Sequence, residues 1–234
     1  MNSTVRAPRI GVFTKPLDNW TSGSGHHLDE VMRHLLDLND RLGHPVEFTF
    51  IHYAKSDNPV YARVRELIIP RNPVKASLVL RKENFDLLHY SPLTVYAPVW
   101  GLSGKKTATV HGVEEELYPA GYTFSQRFHS RYLLPLYMRM MDGIATVSET
   151  SKKYFVEHYG VKAERVFITT NGFASDYRVL SGDSKKLPGD SGISKPYVLH
   201  ISRYSMRKNP LAIINGFARF IEKTGLDYQL VCAG

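Results

Sequence analysis

Two cations, Arg203 and Lys208, lie between an apolar segment and a predicted helix. The segment Tyr197–Ser202 is apolar enough to form a buried strand. The helix follows Asn209, a favourable N-cap, and carries Pro210 at its first position. Open α/β sheets bind ligands beyond the carboxyl ends of their strands, where Arg suits a diphosphate by bidentate hydrogen bonds and Lys as a point charge. A solvated basic loop is the alternative reading.

A histidine follows another predicted strand, Thr107–Val110. It is His111, and Gly112 comes directly after it, so a ligand could approach the backbone there. A purely structural histidine is the alternative. Glu114 is the first of three consecutive glutamates, which we expect to form a solvated loop, with contact to a ligand hydroxyl as the alternative.

A glycine-rich loop separates the first predicted strand from the first helix, and it contains Gly23 and Gly25. It does not match a dinucleotide fingerprint, because Leu28 stands where Gly or Ala is required and no acidic residue ends the next strand. No P-loop motif occurs in the chain. A turn that merely needs small residues is the alternative to a phosphate-binding loop.

Short apolar runs alternate with amphipathic segments along the chain, which predicts an α/β fold with a parallel sheet covered on both faces. Gly43 is the predicted end of the first helix. The strands of the first part are expected at Arg9–Phe13, Val46–Ile51, Leu67–Ile69, Leu87–Tyr90, Thr107–Val110, Ile144–Val147 and Val166–Thr169. The helices are expected at His26–Leu42, Val74–Lys82, Ser125–Met140 and Ser148–Tyr159.

The composition of the 234 residues is that of an ordinary globular protein, with 43% hydrophobic and 22% charged residues. The single cysteine, Cys232, excludes a disulfide framework and fits a reducing compartment. No apolar run is long enough to span a membrane, and the N-terminus lacks a signal peptide, so we expect a cytoplasmic protein. The net charge of +8 favours anionic partners. Nucleic acid is not expected, because Lys and Arg are scattered without a recognisable binding module.

Several ordered motifs resemble those of family 4 glycosyltransferases, which have the GT-B fold. The basic loop matches a strand, Gly-Arg, Lys-Asn and helix pattern, although Ser202 replaces the Gly. The other matching segments are the loop at Gly23–Gly25, Gly43–Val46, Phe85–His89, His111–Gly112, Asp142–Ser148 and Asn171–Gly172. The resemblance implies a Rossmann-like parallel-sheet N-terminal domain over residues 1–178, a linker over 179–195, and an incomplete second Rossmann-like domain over 196–234.

The family resemblance implies a retaining transferase that moves a sugar from a nucleotide-diphosphate donor to an acceptor hydroxyl. His111, Arg203 and Lys208 would carry the catalysis, and Arg203 and Lys208 would bind the diphosphate together with Gly23 and Gly25. The acceptor and sugar side would be formed by Ser24, His26, His111, Gly112 and Glu114. No metal and no cofactor are expected, because no Asp-x-Asp motif occurs and the nucleotide sugar is a substrate.

Two other functions stay open at this stage. One is a non-catalytic subunit of a split GT-B transferase, which binds the acceptor or docks on a membrane. The other is a GT-B nucleotide-sugar epimerase. The acceptor would be a saccharide or a lipid-linked molecule, with peripheral contact at the inner membrane surface left open. A second GT-B domain needs about 150 residues or more, and the family's donor-binding E-x7-E segment would lie in the part of that domain beyond residue 234, so we expect residues 1–234 alone to be inactive.

Overall fold

The computed structural model describes residues 6–19, 22–173, 179, 192–202 and 204–233. The chain forms two compact units. The first contains the described residues up to Leu117 and those from Phe124 to Gly172; the second contains Tyr118–Thr123 and the described residues from Phe173 onward. Most of the predicted linker, 179–195, lies outside the described residues.

The first unit is built on a seven-stranded sheet in which every neighbouring pair is parallel. The spatial order is β3-β2-β1-β4-β5-β6-β7. The strands are β1 (Arg9–Phe13), β2 (Glu47–His52), β3 (Arg65–Ile68), β4 (Leu87–Tyr90), β5 (Lys105–Thr109), β6 (Gly143–Thr146) and β7 (Val166–Ile168). The predicted α/β class and parallel sheet are therefore confirmed, with strand ends within two residues of the expected ones.

Helices and short helical turns connect the strands. They are α1 (Gly23–Arg41), α2 (Pro73–Glu83), α3 (Glu114–Leu117), α4 (Phe124–Phe128), α5 (Leu134–Arg139) and α6 (Glu149–Tyr159), with 3-10 helices at Lys15–Asn19, Pro59–Arg63, Pro119–Gly121 and Ala163–Arg165. The chain builds outward from β1 to β3, returns to place β4 beside β1, and continues outward on the other side. This reversal is the place where open α/β sheets bind ligands.

The core covers both faces of the sheet, because side chains alternate along each strand. In β1, Val12 belongs to a cluster formed with α1, whereas Phe13 belongs to a larger cluster formed with α2, α5 and α6. Leu28, Met32 and Leu36 repeat every four residues and put one side of α1 into the first cluster. Each such buried side chain contributes roughly 2 kcal/mol.

The predicted helix over Ser125–Met140 is interrupted by one π-helical turn. Between α4 and α5, residues His129–Leu133 are π-helical, and the N–H of Leu134 donates to the carbonyl of His129 five residues earlier. A π turn adds one residue to the helix without ending it. Phe124 and Phe128 before this turn and Tyr132 within it are exposed, and beyond it Tyr137 and Met138 are buried.

The second unit contains the parallel pair β8 (Tyr197–Ile201) and β9 (Gln229–Ala233), joined by α7 (Pro210–Thr224). Its predicted order of strand, helix and strand is confirmed. The prediction of a buried strand over Tyr197–Ser202 is wrong, because Val198, Leu199 and Ile201 are exposed. Burial requires elements packed on both faces of a strand, and no residue of α7 is buried in the described part of this unit.

Two glycines with left-handed backbone differ in what surrounds them. Gly43 (φ +75°) follows the last residues of α1, and an added Cβ would meet no atom within 4 Å. Gly104 (φ +83°) precedes β5, and an added Cβ would collide with the carbonyl oxygens of Phe85 and Asp86. The N–H of Lys105 donates to that Asp86 carbonyl at 2.9 Å, so the turn cannot move away without losing this bond.

We therefore expect Gly104→Ala to destabilise the protein more than Gly43→Ala does. Gly43→Ala introduces only a strained φ and should lower the free energy of unfolding by about 1 kcal/mol, whereas Gly104→Ala adds a backbone clash and should lower it by about 3 kcal/mol. Urea denaturation of both variants and the wild-type protein measures the difference. Equal losses would show that the backbone contacts at Gly104 are unimportant.

His89 connects β4 to β5 through both ring nitrogens. Nδ1 lies 2.9 Å from Oγ1 of Thr107, and Nε2 lies 3.1 Å from Oγ1 of Thr109. Burial lowers the pKa of His89 to about 4, and the neighbouring His27 adds to the effect. The unfolded chain therefore binds a proton at His89 at a higher pH than the folded protein does.

Stability should fall as the pH is lowered from about 6.5 towards about 4, because only the unfolded state is protonated at His89 in this range. Between pH 7 and pH 5 the loss from this residue is about 2 kcal/mol. His89→Gln keeps a side chain that can pair with hydroxyls but does not titrate, so its loss over the same range should be smaller by that amount. Urea titrations at both pH values test this, and parallel losses in the two proteins would contradict it.

Candidate functional site

The carboxyl ends of β1, β4 and β5 meet where the sheet reverses direction. The chain leaving β1 leads into α1, and the chain leaving β5 leads into His111 and Gly112. The structure therefore brings together two segments that the sequence analysis singled out separately. Both belong to the first unit.

The glycine segment is not a loop. Gly23, Ser24 and Gly25 form the first turn of α1, so the prediction that the helix begins at His26 is wrong. The cause is Ser22, which has extended backbone and acts as the N-cap: its Oγ accepts a hydrogen bond from the N–H of Gly25 at 3.0 Å. The N–H of Gly25 is thus already bonded, which leaves less of this segment available to a phosphate than a free loop would offer.

An exposed helix start remains at Gly23. A Cβ added to this residue would meet nothing within 4 Å, so neither packing nor backbone angle requires a glycine here. Ser24 is half-buried, and its Oγ lies 3.3 Å from Oγ of Ser22. The positive end of the α1 dipole at this position favours an anionic or polar ligand.

His27 contacts His111, and the sequence analysis missed it. The two imidazole rings meet edge to face, with centroids 4.7 Å apart and planes at 89°. His26, which was predicted to lie on the acceptor side, is exposed. Ser22 is the sequence signal for the helix start, whereas the facing of the two adjacent histidines is set by the packing of Leu28, Met32 and Leu36 into the core.

The side chain of His111 is held in place but not fully bonded. Its Nε2 is buried and has no hydrogen-bond partner among the described residues. Its backbone carbonyl accepts a hydrogen bond from Oγ of Ser151 at 3.1 Å, which joins the strand end to α6. A buried ring nitrogen without a partner is available to a ligand hydroxyl or oxygen.

Burial keeps these imidazoles neutral. It lowers the pKa of His111, with a further lowering from His27 and an opposing effect from Glu114. Burial also lowers the pKa of His27, against the effect of a hydrogen bond with Asn171. At neutral pH the pair therefore offers neutral donors and acceptors, which suit hydroxyl groups better than phosphate.

The residues after His111 form a short helix. The predicted solvated loop at the three glutamates is wrong, since Glu114–Leu117 is α3 and Glu114 is half-buried at its start. At Gly112 an added Cβ would meet only Oγ of Ser151, at 4.0 Å. Glu116 accepts a hydrogen bond from the hydroxyl of Tyr159 at 2.8 Å, which ties α3 to α6.

Of the predicted diphosphate ligands, Gly23 and Gly25 lie in the first unit and Lys208 lies in the second. Arg203 is outside the described residues. Lys208 is the exposed last residue of the 3-10 helix Met206–Lys208. Asn209 is the N-cap of α7, as predicted, and its Oδ1 accepts from the N–H of Ala212 at 3.3 Å. The basic loop is thus a short helical turn that leads into α7.

Neither a metal-ion cluster nor a membrane-spanning helix occurs among the described residues. Across those ranges, no three His, Cys, Asp or Glu side chains are grouped so that they could hold a metal ion. Over the same ranges, no helix has both the length and the apolar character needed to cross a membrane.

Three solved structures illustrate the similarity of this fold to known proteins. A glycosyltransferase from Rickettsia africae matches with a TM-score of 0.58 and 14% identity, over 98% of this chain and 61% of that chain. The Anabaena protein HepE in complex with UDP and glucose matches with a TM-score of 0.60 and 18% identity, over 96% and 61%. HepE with UDP alone gives a TM-score of 0.56 and 16% identity, over 97% and 69%.

At these identities the structures establish the fold, which is that of GT-B glycosyltransferases. This chain spans 61% of the length of the first two. No curated protein matches its sequence significantly. The sequence profile of glycosyltransferase family 4, however, matches residues 21–177, which is more than half of the chain and includes the α1 start, His27 and His111. The chain therefore belongs to glycosyltransferase family 4.

Proposed function

We propose that the whole protein transfers a sugar from a nucleotide-diphosphate donor to an acceptor hydroxyl, with retention of configuration and without a metal ion. The observation that carries the proposal is the buried, unpartnered Nε2 of His111 among the described residues, at the reversal point of a family 4 fold. A neutral imidazole there can bind a hydroxyl of the transferred sugar. It can stay in contact with the sugar as positive charge develops on the sugar ring.

The leaving diphosphate needs stabilisation as the sugar departs, and we assign this role to Arg203 and Lys208. Preorganised cations stabilise the negative charge that develops on the leaving group, so a metal ion is not required. The helix start at Gly23 and Ser24, in the first unit, offers the positive end of a helix dipole. We base retention of the sugar's configuration on the resemblance to family 4. In that family the leaving diphosphate accepts the proton of the acceptor hydroxyl on the same face of the sugar.

The domain assignment belongs to this proposal. Residues 1–178 would form the acceptor-side domain, with Ser24, Gly112 and Glu114 near the sugar, and residues 196–234 would begin the donor-binding domain. HepE binds UDP and glucose, which makes UDP-glucose the first donor to test. A saccharide or lipid-linked acceptor and a cytoplasmic location, with or without peripheral membrane contact, are consistent with this function.

The proposal is tested with the full-length protein by measuring UDP binding and UDP release from UDP-glucose. Lys208→Ala and Arg203→Ala should each weaken UDP binding about 10- to 100-fold, since a hydrogen bond to a charged group contributes about 1.5–3 kcal/mol. His111→Ala should lower turnover about 100-fold with little change in UDP binding. EDTA should change neither. His34→Ala and Lys223→Ala, at exposed positions of α1 and α7, are matched controls.

Failure of the wild-type protein to bind UDP would overturn the proposal, as would turnover in His111→Ala equal to that of the wild type. Loss of turnover with EDTA would overturn the metal-independent scheme alone. Conversion of the donor sugar without any glycosidic product would instead identify an epimerase.

His27 acts on His111 through direct ring contact, so its removal should change the titration of His111. His27→Phe keeps an aromatic ring in place but removes the positive charge that His27 takes up on protonation, and we expect the pKa of His111 to rise because one of the two effects that lower it is lost. NMR titration of the imidazole carbon-bound protons measures this pKa. His34→Phe on the exposed side of α1 is the control and should leave it unchanged. A lower or unaltered pKa in His27→Phe would contradict an electrostatic effect of His27 on His111.

A further inference from the structure

A second polar depression lies on the same edge of the sheet, beside β2 instead of β5. It is an open cavity of about 370 Å³ between the 3-10 helix Lys15–Asn19 and residues 55–59. Its polar lining comes from Asp18, Lys55, Ser56, Asp57 and Asn58. The volume falls within the usual range for small-molecule sites, about 300–1,000 Å³.

One wall of this cavity contains the carboxylate of Asp18, which is contacted by buried side chains. His52 is fully buried at the end of β2, and its Nδ1 lies 3.2 Å from Oδ1 of Asp18, while its Nε2 lies 2.7 Å from Oε1 of Glu66. The hydroxyl of Tyr61 donates to the same Oδ1 of Asp18 at 3.4 Å, and its ring stacks on His52 with centroids 4.5 Å apart. Asp18 is therefore oriented before any ligand arrives.

The opposite wall combines anchored and free groups. The side chain of Asn58 is buried and already hydrogen-bonded at both ends. Its Oδ1 accepts a hydrogen bond from the N–H of Val60 at 3.0 Å, and its Nδ2 donates one to Asp29 at 3.4 Å. Lys55 and Asp57 are exposed and form no hydrogen bond or ion pair with another described residue. The backbone of this wall is thus fixed, while one cation and one carboxylate remain available to a ligand.

This set of groups matches the hydroxyls of a neutral saccharide. Two carboxylates accept hydrogen bonds from neighbouring hydroxyl groups, and a lysine donates to a hydroxyl or ring oxygen. A phosphate would be repelled by two carboxylates with one lysine to offset them, and an acyl chain would leave these charges desolvated and unpaired. The chemistry of the cavity therefore selects a polyhydroxyl compound.

The position of the cavity excludes the transferred sugar as its ligand. From β2 to β5 the sheet crosses three strand spacings, or about 14 Å at about 4.8 Å each. We propose that the cavity is a subsite for a neutral saccharide unit of the acceptor, remote from the hydroxyl that reacts at His111. The inference rests on the proposed function and extends it: the acceptor is an extended glycan, bound at a second point along the sheet edge.

Direct binding of neutral disaccharides to the full-length protein tests this subsite. The probes are maltose, cellobiose, lactose and chitobiose, and saturation-transfer NMR with titration gives the dissociation constants. We expect at least one probe to bind in the millimolar range, and Asp57→Ala and Lys55→Ala each to weaken it tenfold or more. Glu164→Ala and Lys75→Ala replace exposed residues of the same charge away from the cavity and should leave binding unchanged.

UDP binding by the same variants separates this inference from the proposed function. The subsite variants should bind UDP as the wild type does, because they leave the donor ligands intact. If no probe binds the wild-type protein, or if binding is equal in the subsite variants and their controls, the subsite is refuted while UDP binding still supports the transferase. Displacement of a bound disaccharide by inorganic phosphate would also refute it, since the cavity would then prefer an anion.

Discussion

The close packing of β1 between its neighbours is the constraint on which the site depends. β1 is the strand from which the sheet builds in both directions, and Gly11 lies at its centre. A Cβ at this position would come within 2.8 Å of side-chain atoms of both Ile51 and Leu88. The missing side chain lets the flanking strands bury large residues directly over β1. The carboxyl ends of β1, β4 and β5 are thereby held in register, and the helix start at Ser22 and the strand end at His111 are held with them.

Along this edge the structure places two kinds of polar surface. Near the reversal point, burial lowers the pKa of His27 and of His111, so both imidazoles are neutral at neutral pH and favour hydroxyl groups. Near β2, the carboxylate of Asp18 is oriented by His52 and Tyr61. Both arrangements rest on buried aromatic or imidazole rings mounted on strands or on helices adjacent to them. The orientation of the exposed groups is therefore set by the core, and a substitution beneath the surface would change recognition at it.

The sequence was sufficient to predict the strands of the sheet, because each is a short apolar run between turn residues. It was not sufficient for features that depend on packing. A serine in a loop and a serine N-cap look alike in a sequence, so Ser22 alone did not distinguish a helix start at Gly23 from one at His26, and the contact between His27 and His111 depends on packing. The contact between His52 and Asp18 joins residues 34 positions apart, for which no periodicity exists. β8 was expected to be buried because it is apolar, but exposure depends on what covers a strand.

The π turn at His129–Leu133 has a consequence for how this helical segment can change. Each residue of an α-helix advances by about 100°, so one extra residue rotates everything after it by that angle. With this rotation, Leu136 falls on the same exposed side as Phe128, and Tyr137 and Met138 turn towards the core. The phase of α5 relative to α4 is thus set by the count of residues between them. A one-residue insertion or deletion in this segment would turn α5 by about 100° and move part of its buried side towards solvent.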